Sequence, residues 1–107
     1  MYDKPLESDW KTFRRLVPEW RERYLTKRNE EIIGILSDAN RSPTEQFWDA
    51  KEKMEKEART LTDCLDGHSR SDMSFYLLVM RRRALIGDSD LDQFSGELRE
   101  HIVSAKA

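Results

Sequence analysis

Three aspartates near the carboxyl end of the chain alternate as they do at the start of a calcium-binding loop. They are Asp88, Asp90 and Asp92. Such a loop also needs a glycine at its sixth position and a bidentate glutamate at its twelfth. Gln93 and Arg99 occupy those positions here. We therefore interpret the aspartates as the acidic first turn of a helix, where the helix dipole favours negative charge.

Two other pairs of side chains have metal-binding types but the wrong context. Cys64 and His68 are four residues apart, yet Gly67 is expected to end a helix between them and no second ligand pair follows. Glu97 and His101 lie one turn apart, whereas a di-iron bundle needs two Glu-x-x-His elements. The sequence also has no glycine-flanked serine elbow and no glycine-rich phosphate loop. We predict no metal, no cofactor and no catalytic residue, and thus a protein that is not an enzyme.

A basic cluster, Arg81 to Arg83, precedes the turn at Gly87. Such clusters contact nucleic-acid phosphates, and a basic helix end before a turn loosely resembles a helix-turn-helix. The aspartates at 88–92 follow directly, and they would repel phosphates from the next helix. We favour a solvated helix end or an ion-pair site between subunits. A small nucleic-acid-binding or transcription-associated module is the alternative.

Trp48 is the aromatic residue that fits its helix least well. At about 100° per residue it lies beside Phe47 and above Glu52 and Glu55, on a charged side of the helix. The alternating charges of residues 51–57 are typical of a solvated face. Trp48 therefore either folds back onto the rim of the core or anchors the chain to a partner or a second copy, since tryptophan is enriched at interface hot spots.

The helix that carries Trp48 organises the predicted fold. Ser42 and Glu45 form a capping-box pair around Pro43, which suits the first helical position. Gly67 supplies the left-handed residue that commonly closes a helix. Between these limits one apolar stripe is predicted to face the core, and its members are Phe47, Met54, Ala58, Leu61 and Leu65.

Before this helix, the sequence predicts helical structure from Ser8 to about Ala39. Pro18 cannot donate a helical hydrogen bond, so it should kink this stretch or begin a second helix. The core-facing residues predicted here are Trp10, Phe13, Leu16 and Val17, followed by Leu25, Ile32 and Leu36.

After it, residues 73–80 are apolar nearly all round, so we expect that helix to be central and buried or covered by a second subunit. Gly87 is expected to end this helical stretch. Asp88 should open a last helix, whose predicted core residues are Leu91, Phe94, Leu98 and Ile102.

Composition supports a small all-helical protein. The 107 residues are 37% charged and 37% hydrophobic, with four glycines and three prolines. We predict an all-α, four-helix antiparallel arrangement with a long first helix. Residues 1–107 should form one domain, with a flexible N-terminal segment at 1–7 and a frayed tail at 104–107. The net charge of −2 predicts little nonspecific attraction to nucleic acid, and no apolar run could span a membrane. One cysteine and an amino terminus without a signal-peptide core predict a cytoplasmic protein.

Several short motifs follow one another in an order found in a bacterial family. Over roughly residues 20–100 the chain resembles the fluorescence recovery protein family, including its relatives outside photosynthetic organisms. The residues that carry the resemblance are Arg23, Tyr24, Thr44, Glu45, Trp48, Asp66, Gly67, Arg70, Tyr76 to Met80 and Asp90-Leu91.

The resemblance implies an all-helical homodimer with its tryptophan near the interface. In photosynthetic members it also implies binding to the C-terminal domain of a carotenoid photoprotection protein, whose return to the resting form is accelerated. Those members have a His-Asp pair after the tryptophan, where this chain has Lys51 and Glu52. We therefore expect a non-catalytic, homodimeric regulator or adaptor with another protein as its partner. The residues predicted at its dimer or partner interface are Phe47, Trp48, Lys51, Glu52, Tyr76, Met80 and Arg81.

Overall fold

The computed structural model describes residues 6–105 and shows an all-helical bundle over that range. Its α-helices are α1 (Glu7–Leu36), α2 (Pro43–Leu65), α3 (Met73–Arg82) and α4 (Gly96–Ser104), with short 3-10 helices at Arg70–Asp72 and Asp88–Leu91. The predicted all-α fold with a long first helix is thereby confirmed. Among the residues described, no helix is both long enough and apolar enough to cross a bilayer.

The predicted terminal segments fall largely outside the described residues. Residues 1–5 of the expected flexible N-terminal segment and residues 106–107 of the expected tail lie beyond that range. Within it, α1 already begins at Glu7 and α4 ends at Ser104.

α1 continues through Pro18, where we expected a kink or a new helix. Pro18 is exposed, while Leu16, Val17 and Trp20 are at most 6% exposed. A proline inside a helix costs about 3 kcal/mol, whereas burying one large apolar side chain contributes about 1.5–3 kcal/mol. Three such side chains on the core face therefore keep the helix continuous across the missing hydrogen bond. α1 ends at Leu36, short of the predicted limit.

Both ends of α2 follow from its sequence signals. Ser42 Oγ accepts a hydrogen bond from the backbone nitrogen of Glu45 at 3.1 Å, and the Glu45 carboxylate accepts one from the backbone nitrogen of Ser42 at 2.9 Å. These bonds lower the pKa of Glu45 below its ordinary value. Pro43 holds the first helical position, and Gly67 follows the helix with a φ of +71°. The predicted capping box and left-handed glycine are confirmed.

The core is built from the amino-terminal part of α1, the end of α2, and the chain from α3 to α4. Its side chains are almost all aliphatic or aromatic, as expected for close packing. They come from Phe13, Leu16, Val17, Trp20, Cys64, Leu65, Met73, Leu77, Met80, Leu85, Ile86, Leu91, Phe94, Leu98 and Ile102.

The apolar helix α3 is covered mainly within the subunit. Met73, Leu77 and Met80 are fully buried, and Phe75 is the large apolar residue of α3 that remains strongly exposed, at 61%. The apolar surface of α3 therefore does not require a second subunit. The prediction of Met80 as an interface residue is wrong, because its side chain fills the core.

The chain from Asp88 onwards departs from the predicted continuous helix. A 3-10 helix is followed by a break, and α4 begins only at Gly96, where the Ser95 hydroxyl accepts from the backbone nitrogen of Leu98 at 3.2 Å. The four predicted core residues, Leu91, Phe94, Leu98 and Ile102, are nevertheless all buried. Their spacing identified the buried face correctly, although the helix does not extend over all of them.

A buried carboxylate joins the two ends of the described chain. Asp9, on the first turn of α1, is 2% exposed. It accepts hydrogen bonds from the backbone nitrogen of Ser95 at 2.7 Å and from the Ser95 hydroxyl at 2.6 Å. Asp9 thus fixes the start of α4 against the start of α1.

α3 ends at a left-handed alanine rather than at Gly87. The backbone nitrogen of Ala84 donates to the carbonyl of Arg81, and that of Leu85 donates to the carbonyl of Met80. This is the Schellman pattern, which usually places glycine at the left-handed position. Ala84 occupies it with a φ of 60°, a conformation that costs a residue with a Cβ about 1–2 kcal/mol.

We expect Asp9→Ala to lower the free energy of unfolding by about 3 kcal/mol, because two charge-assisted hydrogen bonds are lost and the half-buried Ser95 loses its acceptor. Urea denaturation followed by circular dichroism measures this. Glu7→Ala is the matched control, since it removes an exposed carboxylate from the same turn and should change stability by less than about 0.5 kcal/mol. Equal effects of the two substitutions would contradict a specific role for Asp9.

A second prediction concerns Asp90, which accepts from Arg23 at 2.9 and 3.0 Å and from the backbone nitrogen of Gly87 at 2.8 Å. Burial alone would raise the pKa of Asp90, but these hydrogen bonds outweigh it and hold the pKa below its ordinary value. The folded state therefore gains stability above the unfolded-state pKa of about 3.9 and loses it as the pH falls further. We expect Asp90→Asn to be less stable at neutral pH and to lose less stability on acidification. Urea midpoints at neutral and acid pH would show this, and parallel pH profiles would argue against it.

Candidate protein-interaction surface

The side of α2 that faces α1 is largely polar. Gln46, Ala50, Lys53 and Glu57 recur at three- and four-residue intervals, and all are buried or half-buried. Residues at that spacing share one face of a helix. Only Ala50 among them is apolar, so a hydrophobic pattern does not mark this face.

The predicted core stripe of α2 is wrong over most of its length. Phe47 is 59% exposed and Met54 is 56% exposed, and Ala58 is exposed as well. Leu65 is buried and Leu61 half-buried, because the end of α2 reaches the core. The greater part of this apolar row therefore faces solvent.

Residues 24–60, here called the arm, are the part of the molecule in which α1 and α2 pack on one another. The buried apolar residues of the arm, Ile32 and Ala50, lie apart from the main core. Polar side chains fill much of the remaining space between the helices. We call this group the seam, and it consists of Tyr24, Arg28, Glu31, Lys53 and Glu57.

Glu57 is the centre of the seam and is only 6% exposed. Its Oε2 atom accepts a hydrogen bond from Tyr24 Oη at 2.7 Å and lies 3.7 Å from Arg28 Nε. Lys53 Nζ lies 4.0 Å from the other oxygen, and it contacts Glu31 at 2.7 Å. Glu31 in turn pairs with Arg28 at 2.9 Å. One buried carboxylate is thus balanced by cations from both helices.

The seam also shifts the titration of its members. Burial, together with the hydrogen bond to Glu57, raises the pKa of Tyr24. The hydrogen bond from Lys53 lowers the pKa of Glu31. Tyr24 therefore remains a donor and Glu31 an acceptor at neutral pH, and the guanidinium of Arg28 lies 4.9 Å from the centre of the Tyr24 ring.

Large apolar side chains lie on the outside of the arm. On α1, Ile33 is 62% exposed and Leu36 is 50% exposed. On α2, Phe47, Trp48 and Met54 are each 56–59% exposed. The arm therefore buries several polar side chains between its helices while large apolar side chains are exposed on its outside, the reverse of what an isolated helix pair in water prefers.

Trp48 is 57% exposed on α2 and packs against Phe47 and Lys51 of the same helix. Its ring meets that of Phe47 edge to face at a centroid distance of 5.1 Å, and Lys51 Nζ lies 5.8 Å from its centre. With Glu52 and Arg59 it lines a shallow groove along the helix. The structure thus favours the anchor interpretation of Trp48 over the rim of the core.

The seven predicted interface residues lie in two different parts of the structure. Phe47, Trp48, Lys51 and Glu52 are exposed neighbours on α2. The other three are Tyr76, Met80 and Arg81 of α3. Tyr76 is half-buried with its ring 4.6 Å from that of His68, and Arg81 pairs with Asp88 at 2.7 Å. Sequence reasoning missed Ile33 entirely and assigned Leu36 and Met54 to the core.

The residues considered above for metal chemistry are engaged in the fold. His68 Nε2 lies 2.8 Å from the backbone carbonyl of Cys64, not from its thiol. Burial raises the pKa of the Cys64 thiol, which keeps it protonated. Each of the three aspartates at 88–92 contacts an arginine. Within residues 6–105 no group of three or more His, Cys, Asp or Glu residues could hold a metal ion.

Comparison of the chain with known protein families, characterised proteins and solved structures finds no match.

We expect Glu57→Ala to lower the free energy of unfolding by about 2 kcal/mol, because Tyr24 loses its acceptor and Arg28 and Lys53 keep only Glu31 as a counterion. Tyr24→Phe should cost only about 1 kcal/mol, because Glu57 keeps both cations. Urea denaturation gives the two values, and amide hydrogen exchange should locate the loss of protection of Glu57→Ala in residues 24–60. Protection lost first in α3 and α4 would contradict this role of the seam.

Proposed function

We propose that this chain is a non-catalytic regulatory or adaptor protein that works as a homodimer and binds a partner protein. The observation that carries the proposal is the exposed apolar surface of the arm. Patches of this kind on a folded protein mark interaction sites, because leaving them in water is costly. A second copy is the simplest cover, since most homo-oligomers are twofold dimers.

The positions of the apolar residues support one continuous face. At about 100° per residue, Leu25 and Leu36 lie about 60° and 80° from Arg28 around α1. Met54 and Phe47 lie about 60° and 80° from Glu57 around α2, in the same rotational sense. If α1 and α2 pack antiparallel, as we propose, these apolar residues of α1 and of α2 lie on the same side of the arm. The apolar faces of two subunits would then pack against each other and form a four-helix layer.

Trp48 lies at the outer edge of this face, about 180° from Glu57. It is therefore close enough to contact a second copy while its groove stays open to another protein. Tryptophan anchors of this kind dominate the energetics of many interfaces. The resemblance to the fluorescence recovery protein family supports the same arrangement, a homodimer with its tryptophan near the interface. With Lys51 and Glu52 in place of the His-Asp pair, we propose a cytoplasmic relative that regulates a different protein.

The alternative, nucleic-acid binding through the basic cluster, has less support. Arg81 pairs with Asp88, and Arg83 lies 3.6 Å from Asp63. Of the three arginines, Arg82 has no ion pair within residues 6–105. The phosphates of a nucleic acid would have to displace Asp88 from Arg81, in a chain whose net charge is already negative.

Sedimentation equilibrium over the micromolar range tests the proposal. We expect the wild-type chain of 12.7 kDa to associate to twice its mass. Phe47→Glu and Met54→Glu should each leave a monomer, because a buried unpaired charge is costly. Trp48→Ala should weaken association by about 30-fold, the equivalent of ~2 kcal/mol, with helix content unchanged by circular dichroism.

Lys56→Glu is the matched control, since Lys56 is exposed on α2 about 180° from Phe47. It should associate as the wild type does. A wild-type monomer at every concentration would overturn the proposed dimer, as would dissociation of the control to the same extent as Phe47→Glu. A large loss of helicity in Trp48→Ala would instead make Trp48 a core residue.

A further inference from the structure

A small cavity lies between α1 and the end of α3. Its volume is about 170 Å³, and its walls come from the middle of α1 and from the three residues after α3. The lining residues are Arg23, Tyr24, Lys27, Arg28, Arg83, Ala84 and Leu85. The exposed apolar residues of the arm do not line it, so an inference from this cavity does not rest on the proposed dimer.

The walls of this cavity carry positive charge without any acidic residue. Four of the seven lining residues are cationic, in a chain whose net charge is −2. By contrast, the groove beside Trp48 mixes its two cations with Glu52 and Glu55. Carboxylates outside the lining pair with three of these cations, Asp90 with Arg23, Glu31 and Glu57 with Arg28, and Asp63 with Arg83.

Two of the four cations are free enough to bind a ligand. Lys27 makes no ion pair within residues 6–105. Arg83 is held only by a 3.6 Å contact to Asp63, and both side chains are about half exposed, so this pair contributes little. Arg23 is fixed in place by Asp90 and by the carbonyl of Leu85, at 3.0 Å. The cavity thus combines a rigid wall with two available positive groups.

One wall of the cavity has a strained backbone. Ala84 holds a left-handed conformation there, and such strained residues concentrate at functional sites. Arg28 also lines the cavity, while its Nε atom lies 3.7 Å from Glu57 Oε2 in the seam.

We propose that this cavity binds a phosphate-type oxyanion, either inorganic phosphate or the phosphate group of a small phosphomonoester. Arginine and lysine donors from α1 and from the end of α3 would surround the oxyanion. The volume is below the 300–1,000 Å³ typical of drug-sized ligand pockets, so the cavity suits the phosphate group and leaves the rest of an ester outside. Binding would join the base of the arm to α3.

Isothermal titration calorimetry with inorganic phosphate, and in parallel with glycerol phosphate, tests the site at constant ionic strength against chloride. We expect saturable binding of at least one of the two ligands, and a melting temperature that rises with its concentration. Tighter binding of glycerol phosphate would identify an ester as the ligand, whereas equal or tighter binding of inorganic phosphate would identify the free anion. Lys27→Gln should weaken binding about tenfold, a typical effect of losing one charge-assisted contact.

Arg82→Gln is the matched control, because Arg82 is an exposed cation next to Arg83 in the sequence but outside the cavity. It should bind phosphate as the wild type does. Repeating the titration with Phe47→Glu separates this site from the proposed dimer, and binding should persist in that variant. No heat beyond the chloride control would overturn the proposal, and so would equal weakening by Lys27→Gln and Arg82→Gln.

Discussion

The burial of Glu57 determines how the two long helices face each other. A carboxylate that is 6% exposed needs donors and cations around it, and Tyr24, Arg28 and Lys53 supply them. Satisfying that carboxylate turns the polar side of α2 towards α1. The apolar row that includes Phe47 must then point outwards. The exposed apolar surface of the arm is therefore a consequence of the polar contact inside it.

The same contact explains which predictions from sequence succeeded. Signals confined to a few neighbouring residues, such as the capping box at Ser42 and the left-handed Gly67, depend on local geometry alone and were confirmed. The buried positions Leu91, Phe94, Leu98 and Ile102 were also predictable from their spacing. The orientation of α2 was not, because an apolar stripe does not reveal that a buried glutamate has partners on another helix. Asp9 carries no local signal, since its role depends on Ser95 in the folded chain, and Ala84 was missed because glycine usually occupies the left-handed position.

The molecule thus separates two kinds of packing. The core holds the large apolar side chains of α3 and α4 against the first half of α1, and it is complete within one subunit. The arm has only Ile32 and Ala50 buried between its helices and relies on ion pairs and hydrogen bonds for the rest. Ion-pair contacts are sensitive to salt and pH in a way that apolar packing is not. The packing of the arm therefore depends more on such contacts than the packing of the core does.

The link between Asp9 and Ser95 has a consequence for the order in which the chain is made. These residues are 86 positions apart, so the core cannot close on the ribosome until nearly the last helix has been synthesised. The residues of the arm, 24–60, emerge much earlier. A nascent chain would then expose the apolar side chains on the outside of the arm while the core is still open.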